Sequence, residues 1–246
     1  MNQIQIILQN KSDMNDKKIL IVIPAYNEEK NILNTITNLK NNTSYPYIVI
    51  NDGSKDNTLN ILKENNISYL NHETNKGLSQ SLRTGMIYAM NNGYDYIIQI
   101  DGDNQHNSKD INNFSNIANS TNLVIIGNRY KNNKKGISLK SFAQTLISWC
   151  FWIKTHIKLI DPTNGMRLYA KDFMQAYINN QNLMVEPSTI AYLAKKLHLN
   201  IIQVNAEIKD REFGSSMYSN RWKQFKYILR ETTRMLSLTN HWVNKK

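Results

Sequence analysis

Only one cysteine, Cys150, occurs in the 246 residues. That excludes a framework of internal disulfides and fits a reducing compartment; its place in an apolar run reads as a buried, inert thiol. No stretch approaches the roughly 20 apolar residues needed to span a bilayer. The opening MNQIQIILQNKSDMNDKK has neither the basic start nor the long apolar core of a signal peptide. The expected location is therefore the cytoplasm. Acidic residues are few, 19 against 30 basic ones, for a net charge of +11. Such a surplus suits anionic partners, whether nucleotides, lipid headgroups or nucleic acid. No helix-turn-helix and no RNA-binding aromatic motif accompanies it, so no nucleic-acid partner is expected. GxGxxG is missing after the first apolar run, which argues against a dinucleotide enzyme. A glycine-rich, arginine-bearing N-terminal phosphate loop, as a nucleotidyltransferase would need, is also missing. With 41% hydrophobic and 20% charged residues the chain is an ordinary globular one, large enough for a real core.

What is present centres on YDYIIQIDGDNQH, Tyr94 to His106. Residues 96–100 read as a buried strand that runs into Asp101 and Asp103. Like charges so close repel and are costly to desolvate, so a cation should share their site. Gly102 between them would let a ligand approach the backbone. The two carboxylates with the amide oxygen of Gln105 form a hard-oxygen set suited to Mg²⁺ or Mn²⁺ bridging to substrate phosphates. His106 is assigned no role beyond holding the loop. Taken alone, DGD would read as a surface turn.

The surrounding pattern decides for a site. Ile19 to Ile23 is a continuous apolar run ended by Pro24, followed by a helix with Ile32, Leu33, Ile36 and Leu39 at helical spacing. YIVI, residues 47–50, empties into NDGSKDNT, with Asp56 and Thr58 at the start of a helix reaching Glu64. A short strand near Ile67 to Leu70 precedes Gly77, which opens a helix whose stripe is Leu78, Leu82, Met86 and Met90. Alternating strands and helices predict a parallel α/β sheet with right-handed crossovers. The loops Pro24 to Glu28, Asn51 to Ser54 and Asp101 to Gln105 all follow carboxyl ends of strands, so they should converge on one cleft. Further on, Val124 to Gly127 and Ile201 to Val204 read as strands, and Pro187 opens a helix. Phe142 to Ile153 is uncharged and too short to span, a core helix or an interfacial segment. A basic mobile loop is expected at 132–135. From Arg221 to Val243 a helix carries Trp222, Phe225, Leu229 and Leu236 on one side, with Lys223, Lys226, Arg230 and Arg234 off that stripe. It either caps its own domain or lies on a membrane surface.

PAYNEE, NDGSKDNT, NKG, DGDNQH, GNRY, DPTNGMRLY and REFGSSMY, in this order over about residues 18–220, resemble the family 2 glycosyltransferases of GT-A fold. Within them they are most similar to the dolichol-phosphate mannosyltransferase and polyprenyl-phosphate glycosyltransferase group. The resemblance implies a Rossmann-like, mostly parallel sheet flanked by helices, with acceptor-side helices towards the C-terminus. The implied division is a loose lead-in over 1–17, the catalytic domain over 18–220 and a basic amphipathic helix over 221–246. It further implies a nucleotide-sugar donor, a divalent metal (Mg²⁺ or Mn²⁺) and inverting transfer. Asp101 and Asp103 look like the metal and diphosphate pair, and Gln105 like the additional metal ligand of the polyprenyl-phosphate branch. Pro24, Tyr26 and Glu28 look like the floor of the nucleoside pocket, and Asp52 like the acidic contact to base or ribose, with Asn51 where a second acid is usual. Lys76 is placed to approach a phosphate or to be a solvated loop charge. Arg129 of GNRY resembles the arginine that faces the acceptor, and Arg211, with Gly214, Ser215 and Ser216, one on a closing loop that reaches the phosphates.

The acceptor is read from what it requires. A phosphate oxygen is already ionised and needs no general base, whereas a sugar hydroxyl needs one. Hydroxyl-acceptor members usually show Glu-Asp before a late helix; here Glu186 is followed by Pro187. The expected acceptor is a lipid phosphate, most simply polyprenyl phosphate, with peripheral contact at the inner face of the membrane. The alternative is a hydroxyl of a lipid-linked or surface glycan with Glu186 as base. A non-catalytic nucleotide- or nucleic-acid-binding protein is the rival from another class.

Overall fold

The computed structural model describes residues 17–130, 139–209 and 221–237. The lead-in before residue 17, the basic stretch at 132–135, Arg211 with its Gly-Ser-Ser loop, and the tail of the last helix lie outside the described residues.

Among the described residues the strands are β1 (Ile19–Ala25), β2 (Tyr47–Asn51), β3 (Tyr69–Asn71), β4 (Tyr96–Gln99), β5 (Leu123–Asn128), β6 (Arg167–Ala170) and β7 (Asn200–Asn205). They form one sheet in the order β3-β2-β1-β4-β6-β5-β7. β6 runs antiparallel to both its neighbours and every other pairing is parallel. The α/β sequence pattern thus yields the expected mostly parallel sheet. The helices are α1 (Ile32–Asn42), α2 (Thr58–Glu64), α3 (Leu78–Asn91), α4 (Ile111–Ile117), α5 (Leu139–Thr155), α6 (Lys171–Ile178), α7 (Pro187–Leu197) and α8 (Arg221–Leu236).

Successive side chains of a strand face opposite sides, and here both sides are covered. Ile19, Ile21 and Ile23 of β1 pack with Ile32, Ile36 and Leu39 of α1, Leu62 of α2 and Phe114 of α4. Leu20 and Val22 pack the other way, with Leu82 and Met86 of α3 and, further along that face, Phe151, Phe173 and Ile190. Leu78, expected on the α3 stripe, is exposed at its first position. Helices α4 and α6 have no counterpart in the sequence reading. Each is short; α4 places Ile111 and Phe114 among polar residues, and α6 follows β6 with no intervening turn.

The two amphipathic segments behave differently from each other. Helix α5 divides its apolar residues: Ala143, Ile147, Cys150 and Phe151 enter the core, while Phe142, Trp149, Trp152 and Ile153 are exposed. Burial pushes the Cys150 thiol up, as expected of an inert cysteine. In α8 the described part of the predicted apolar stripe faces outward, with Phe225, Leu229 and Leu236 each more than half exposed. Among the helix's described side chains Glu231, Thr232 and Met235 are buried. The helix caps the domain through a mixed face, Met235 and Tyr227 packing on the core beside Glu231 and Thr232, and leaves Phe225, Leu229 and Leu236 uncovered among the described residues.

Gly85 lets helix α3 pack directly on Val22 of β1. A Cβ there would be driven into the Cγ1 methyl of buried Val22. Gly85→Val is expected to destabilise by about 1–3 kcal/mol through overpacking, against a gain of only a few tenths in helix propensity. Equilibrium denaturation would show it as a lower midpoint at unchanged slope.

Candidate active site

The strand order reverses at β1: its crossover leads to β2 on one side, while β4 lies on the other. Ligands of open α/β sheets bind beyond the carboxyl ends of strands at such a point. The ladder between β1 and β4 closes at Val22↔Gln99, whereas β1 stays paired with β2 as far as Ala25↔Asn51. Pro24 lies past the last β4 pair, so its missing N–H costs no bond on that side. The loops are stitched together there. Asn27 N–H donates to Ser54 Oγ (3.0 Å), Lys55 N–H to Asn27 Oδ1 (2.8 Å) and Glu28 N–H to Thr58 Oγ1 (2.9 Å). From α1, Thr35 Oγ1 donates to the Gly102 carbonyl (2.9 Å) and Asn38 Nδ2 to Asn104 Oδ1 (2.7 Å). The three loops after β1, β2 and β4 therefore converge, and Tyr26 stands exposed among them.

Gly102 serves a different purpose from the expected ligand approach. A Cβ on it would lie 3.1 Å from the Pro24 carbonyl and 3.4 Å from the Ala25 methyl, so its smallness lets the acidic loop close on the end of β1. Gly53 takes φ +64°, and a Cβ there would strike the Thr74 and Asn75 backbone.

Asp52 is 3% exposed and largely committed within the protein. Its Oδ1 meets His72 Nδ1 (2.7 Å) and accepts from Lys76 N–H (2.9 Å), while Oδ2 accepts from Gly77 N–H (2.7 Å), the residue that precedes α3. His72 also meets Thr84 Oγ1 through Nε2 (2.9 Å). Asp52 thus anchors the Lys76–Gly77 turn, and a nucleoside contact would use the remaining lone pair of Oδ2. Lys76 itself is exposed. The sequence reading missed His72, which sits in a polar stretch with no motif around it. Asn51, where an acid is usual, donates to Asn71 Oδ1 (2.6 Å) and accepts from Ser54 (2.6 Å), a pairing that a carboxylate could not make.

Asp103 is buried and its Oδ1 accepts from Gln105 N–H (3.2 Å). Asp101 keeps 40% of its side chain exposed and meets His106 Nε2 at 3.1 Å. Burial pushes the Asp101 carboxyl up, but the His106 contact, the Arg167 guanidinium and Gln99 outweigh it and hold it below the ordinary carboxylate range. Gln105 donates its Nε2 to the Lys209 carbonyl (3.0 Å), which leaves its oxygen as the atom for a ligand. No cluster of three or more His, Cys, Asp or Glu able to hold a metal occurs among the described residues. Two carboxylates with an amide oxygen fit the manner in which Mg²⁺ or Mn²⁺ is shared with substrate phosphates, which does not need an all-protein cage.

Arg129 is placed by a buried carboxylate that the sequence reading assigned no role. Asp161, fully buried, accepts from Arg129 Nε at 2.6 Å and from its backbone N–H at 3.3 Å. Thr163 Oγ1 and Asn164 Nδ2 also donate to Asp161, and Gln144 joins Tyr130 to Thr163. The arginine is thereby fixed at the end of β5 with part of its side chain exposed.

Glu186, the candidate base, is the residue before α7. Arg230 Nη2 lies 2.5 Å from its Oε1 and Arg234 Nη1 2.7 Å from its Oε2. Both carboxylate oxygens are held by guanidinium groups, so the geometry gives Glu186 the task of docking α8 onto α7. Arg230 and Arg234, read from the sequence as lying off the apolar stripe, reach Glu186 from that side, Arg230 with 45% of its side chain still exposed. Glu231 lies fully buried beside them, its Oε2 accepting from Ser188 N–H (3.2 Å) and its Oε1 3.8 Å from Arg234.

The model of Glycosyl transferase family 2 matches residues 20–177. A UDP-N-acetylglucosamine–dolichyl-phosphate N-acetylglucosaminyltransferase of Methanococcus voltae is 31% identical over 242 residues, covering 88% of this chain and 96% of its own. An undecaprenyl-phosphate mannosyltransferase of Micrococcus luteus is 24% identical, covering 82% and 88% respectively. Among solved structures, glucosyl-3-phosphoglycerate synthase of Mycobacterium tuberculosis with Mn²⁺ and UDP-glucose superposes with a TM-score of 0.67. It is 14% identical and covers 95% of this chain and 84% of its own, a likeness of fold.

The carboxyl pair Glu186 and Glu231, where α8 meets α7, sets a pH dependence. Burial, with the Glu186 carboxyl alongside, pushes Glu231 up to about 8. The folded state then binds a proton that the unfolded chain releases near pH ~4.3. Stability from this group is full below that pH and declines as pH rises towards 8. Glu231→Gln is expected to abolish this decline and raise the melting temperature at pH 8, as thermal melts across the range would show.

Proposed function

The chain belongs to glycosyl transferase family 2, and from that footing we propose that it transfers a sugar from a nucleoside-diphosphate donor to a polyprenyl phosphate, with inversion. The observation that carries the acceptor reading is the commitment of both Glu186 oxygens to Arg230 and Arg234. An ionised phosphate needs no base, so a site whose late-helix carboxylate is already engaged suits a phosphate acceptor. The dolichyl-phosphate and undecaprenyl-phosphate names of the relatives support the same choice. UDP-N-acetylglucosamine, the donor named for the Methanococcus voltae relative, is the first donor to test.

In this reading Pro24, Tyr26 and Glu28 receive the nucleoside, with Tyr26 exposed and available to stack on a base. Asp52 holds the turn that presents Lys76 towards the diphosphate. Asp101, Asp103 and Gln105 would hold Mg²⁺ or Mn²⁺, which when bound neutralises charge on the leaving diphosphate. Arg129, kept in place by Asp161, offers its guanidinium to the acceptor phosphate. Arg211 is assigned to the departing diphosphate. An acceptor phosphate oxygen attacks the anomeric carbon as the bond from that carbon to the β-phosphate oxygen breaks. The nucleoside diphosphate leaves with the electron pair, and no proton has to move.

No helix among the described residues is long and apolar enough to cross a membrane. Contact with the cytoplasmic face of the bilayer is assigned to α5 and α8, which pack against each other and leave Phe142, Trp149, Trp152, Phe225 and Leu229 exposed. Lys154, Lys158 and Lys226 on and beside these helices suit anionic headgroups.

With Mn²⁺, a panel of nucleotide sugars and a short-chain polyprenyl phosphate, nucleoside diphosphate release should rise with the lipid. In Asp103→Ala it should fall by on the order of 10² or more. Release that ignores the lipid but responds to a glycan hydroxyl, and is lost in Glu186→Gln, would overturn the phosphate acceptor. A second measurement addresses the surface. Trp149→Glu combined with Trp152→Glu should reduce sedimentation with vesicles containing anionic lipid roughly tenfold or more, leaving thermal stability near that of the unaltered protein.

A further inference from the structure

His106 is buried, with 3% of its side chain exposed. Its Nε2 lies 3.1 Å from Asp101 Oδ2, and its Nδ1 has no hydrogen-bond partner among the described residues. The hydrogen therefore sits on Nε2 and is donated to the carboxylate, since a bare Nδ1 tolerates an apolar surrounding better than an unpaired N–H. The ring is fixed by its backbone: His106 forms an antiparallel bridge with Ile208, and Lys209 N–H donates to the Gln105 carbonyl at 2.8 Å. On the opposite side of the contact stands Gly165. A Cβ there would overlap Asp101 Oδ2 and lie 3.1 Å from His106 Nε2. Gly165 is held in turn: Asn164 Oδ1 accepts from Met166 N–H (2.9 Å), and Arg167 Nε donates to the Asn164 carbonyl (2.7 Å). The Asp101 carboxylate thus lies in a cradle with one fixed donor and one wall that only glycine leaves open.

From this juxtaposition we infer that His106 and Gly165 are positioning residues, which together orient the Asp101 carboxylate for the divalent cation. The inference rests on the metal-dependent reading above. It differs from the acceptance of His106 as a loop support, because a loop support need not touch the carboxylate and would not require a glycine opposite. A ligating carboxylate that pivots freely loses affinity when ordered by the metal, and removing its outer partner typically weakens metal binding 10–100-fold.

The test is the Mn²⁺ dissociation constant, read from the free-ion electron paramagnetic resonance signal with and without UDP, beside the melting temperature of each variant without metal. His106→Leu should weaken Mn²⁺ binding about tenfold or more, and His106→Gln, whose amide N–H reaches the same position, should recover most of it. Gly165→Ala, which displaces the end of a side chain and no backbone, should weaken binding comparably at a similar melting temperature. If His106→Leu does not fold, Gly165→Ala decides by itself. Unaltered protein that binds Mn²⁺ while His106→Leu and Gly165→Ala bind it equally well would overturn the cradle and leave the metal reading standing. Failure of the unaltered protein to bind Mn²⁺ at all would overturn both.

Discussion

Two aspartates one residue apart at the end of a buried strand repel each other, and the burial of Asp103 weakens the screening between them. The structure around Asp101 and Asp103 is arranged to bear that repulsion. His106 and Arg167 balance Asp101, the Gln105 backbone N–H meets Asp103, and Gly102 lets the whole loop settle against the end of β1. Because β6 enters the sheet antiparallel beside β4, it sets Arg167 in register with Gln99 and brings Gly165 against Asp101. The reversed strand is thus part of the site's electrostatics as well as of its architecture.

The same principle, a carboxylate fixed by several donors, recurs around the cleft. Asp52 anchors the turn before α3, Asp161 fixes Arg129 from beneath, and Glu186 docks α8. Each lies close to a segment that, by the proposed mechanism, must meet a substrate phosphate or a lipid. These three carboxylates position arginines and loop amides.

The last helix shows how an amphipathic pattern can be read with the wrong face inward. An apolar stripe ordinarily marks the buried side. In α8 buried Glu231 accepts from Ser188 N–H beside the Glu186–Arg230–Arg234 ion pairs, Met235 enters the core, and Phe225, Leu229 and Leu236 are left outside. Beside them, α5 exposes two tryptophans. Together they form a surface whose composition matches a bilayer interface, where indole rings and basic side chains are both accommodated.

Much was legible in the sequence because it is local. Continuous apolar runs, helical spacing and turn residues are encoded within short windows, so β1, β2, β4, α1 and α3 could be read directly. The ordered motifs likewise placed Asp101, Asp103, Gln105 and Arg129 at strand ends. Other features depend on residues far apart in the chain. His72 meets Asp52 across 20 positions, Arg230 meets Glu186 across 44, and Arg129 meets Asp161 across 32. Helices α4 and α6 were too short for their periodicity to stand out. The sequence by itself determined the α/β order of the sheet and the chemistry presented at its carboxyl edge, because strand pattern and motif are properties of neighbouring residues. Which carboxylates stay available, which are spent on arginine, histidine or backbone partners, and which face of α8 is left uncovered were set by packing between distant segments. A carboxylate's availability depends on the donors packed around it, and those donors arrive from other strands and helices only when the sheet closes.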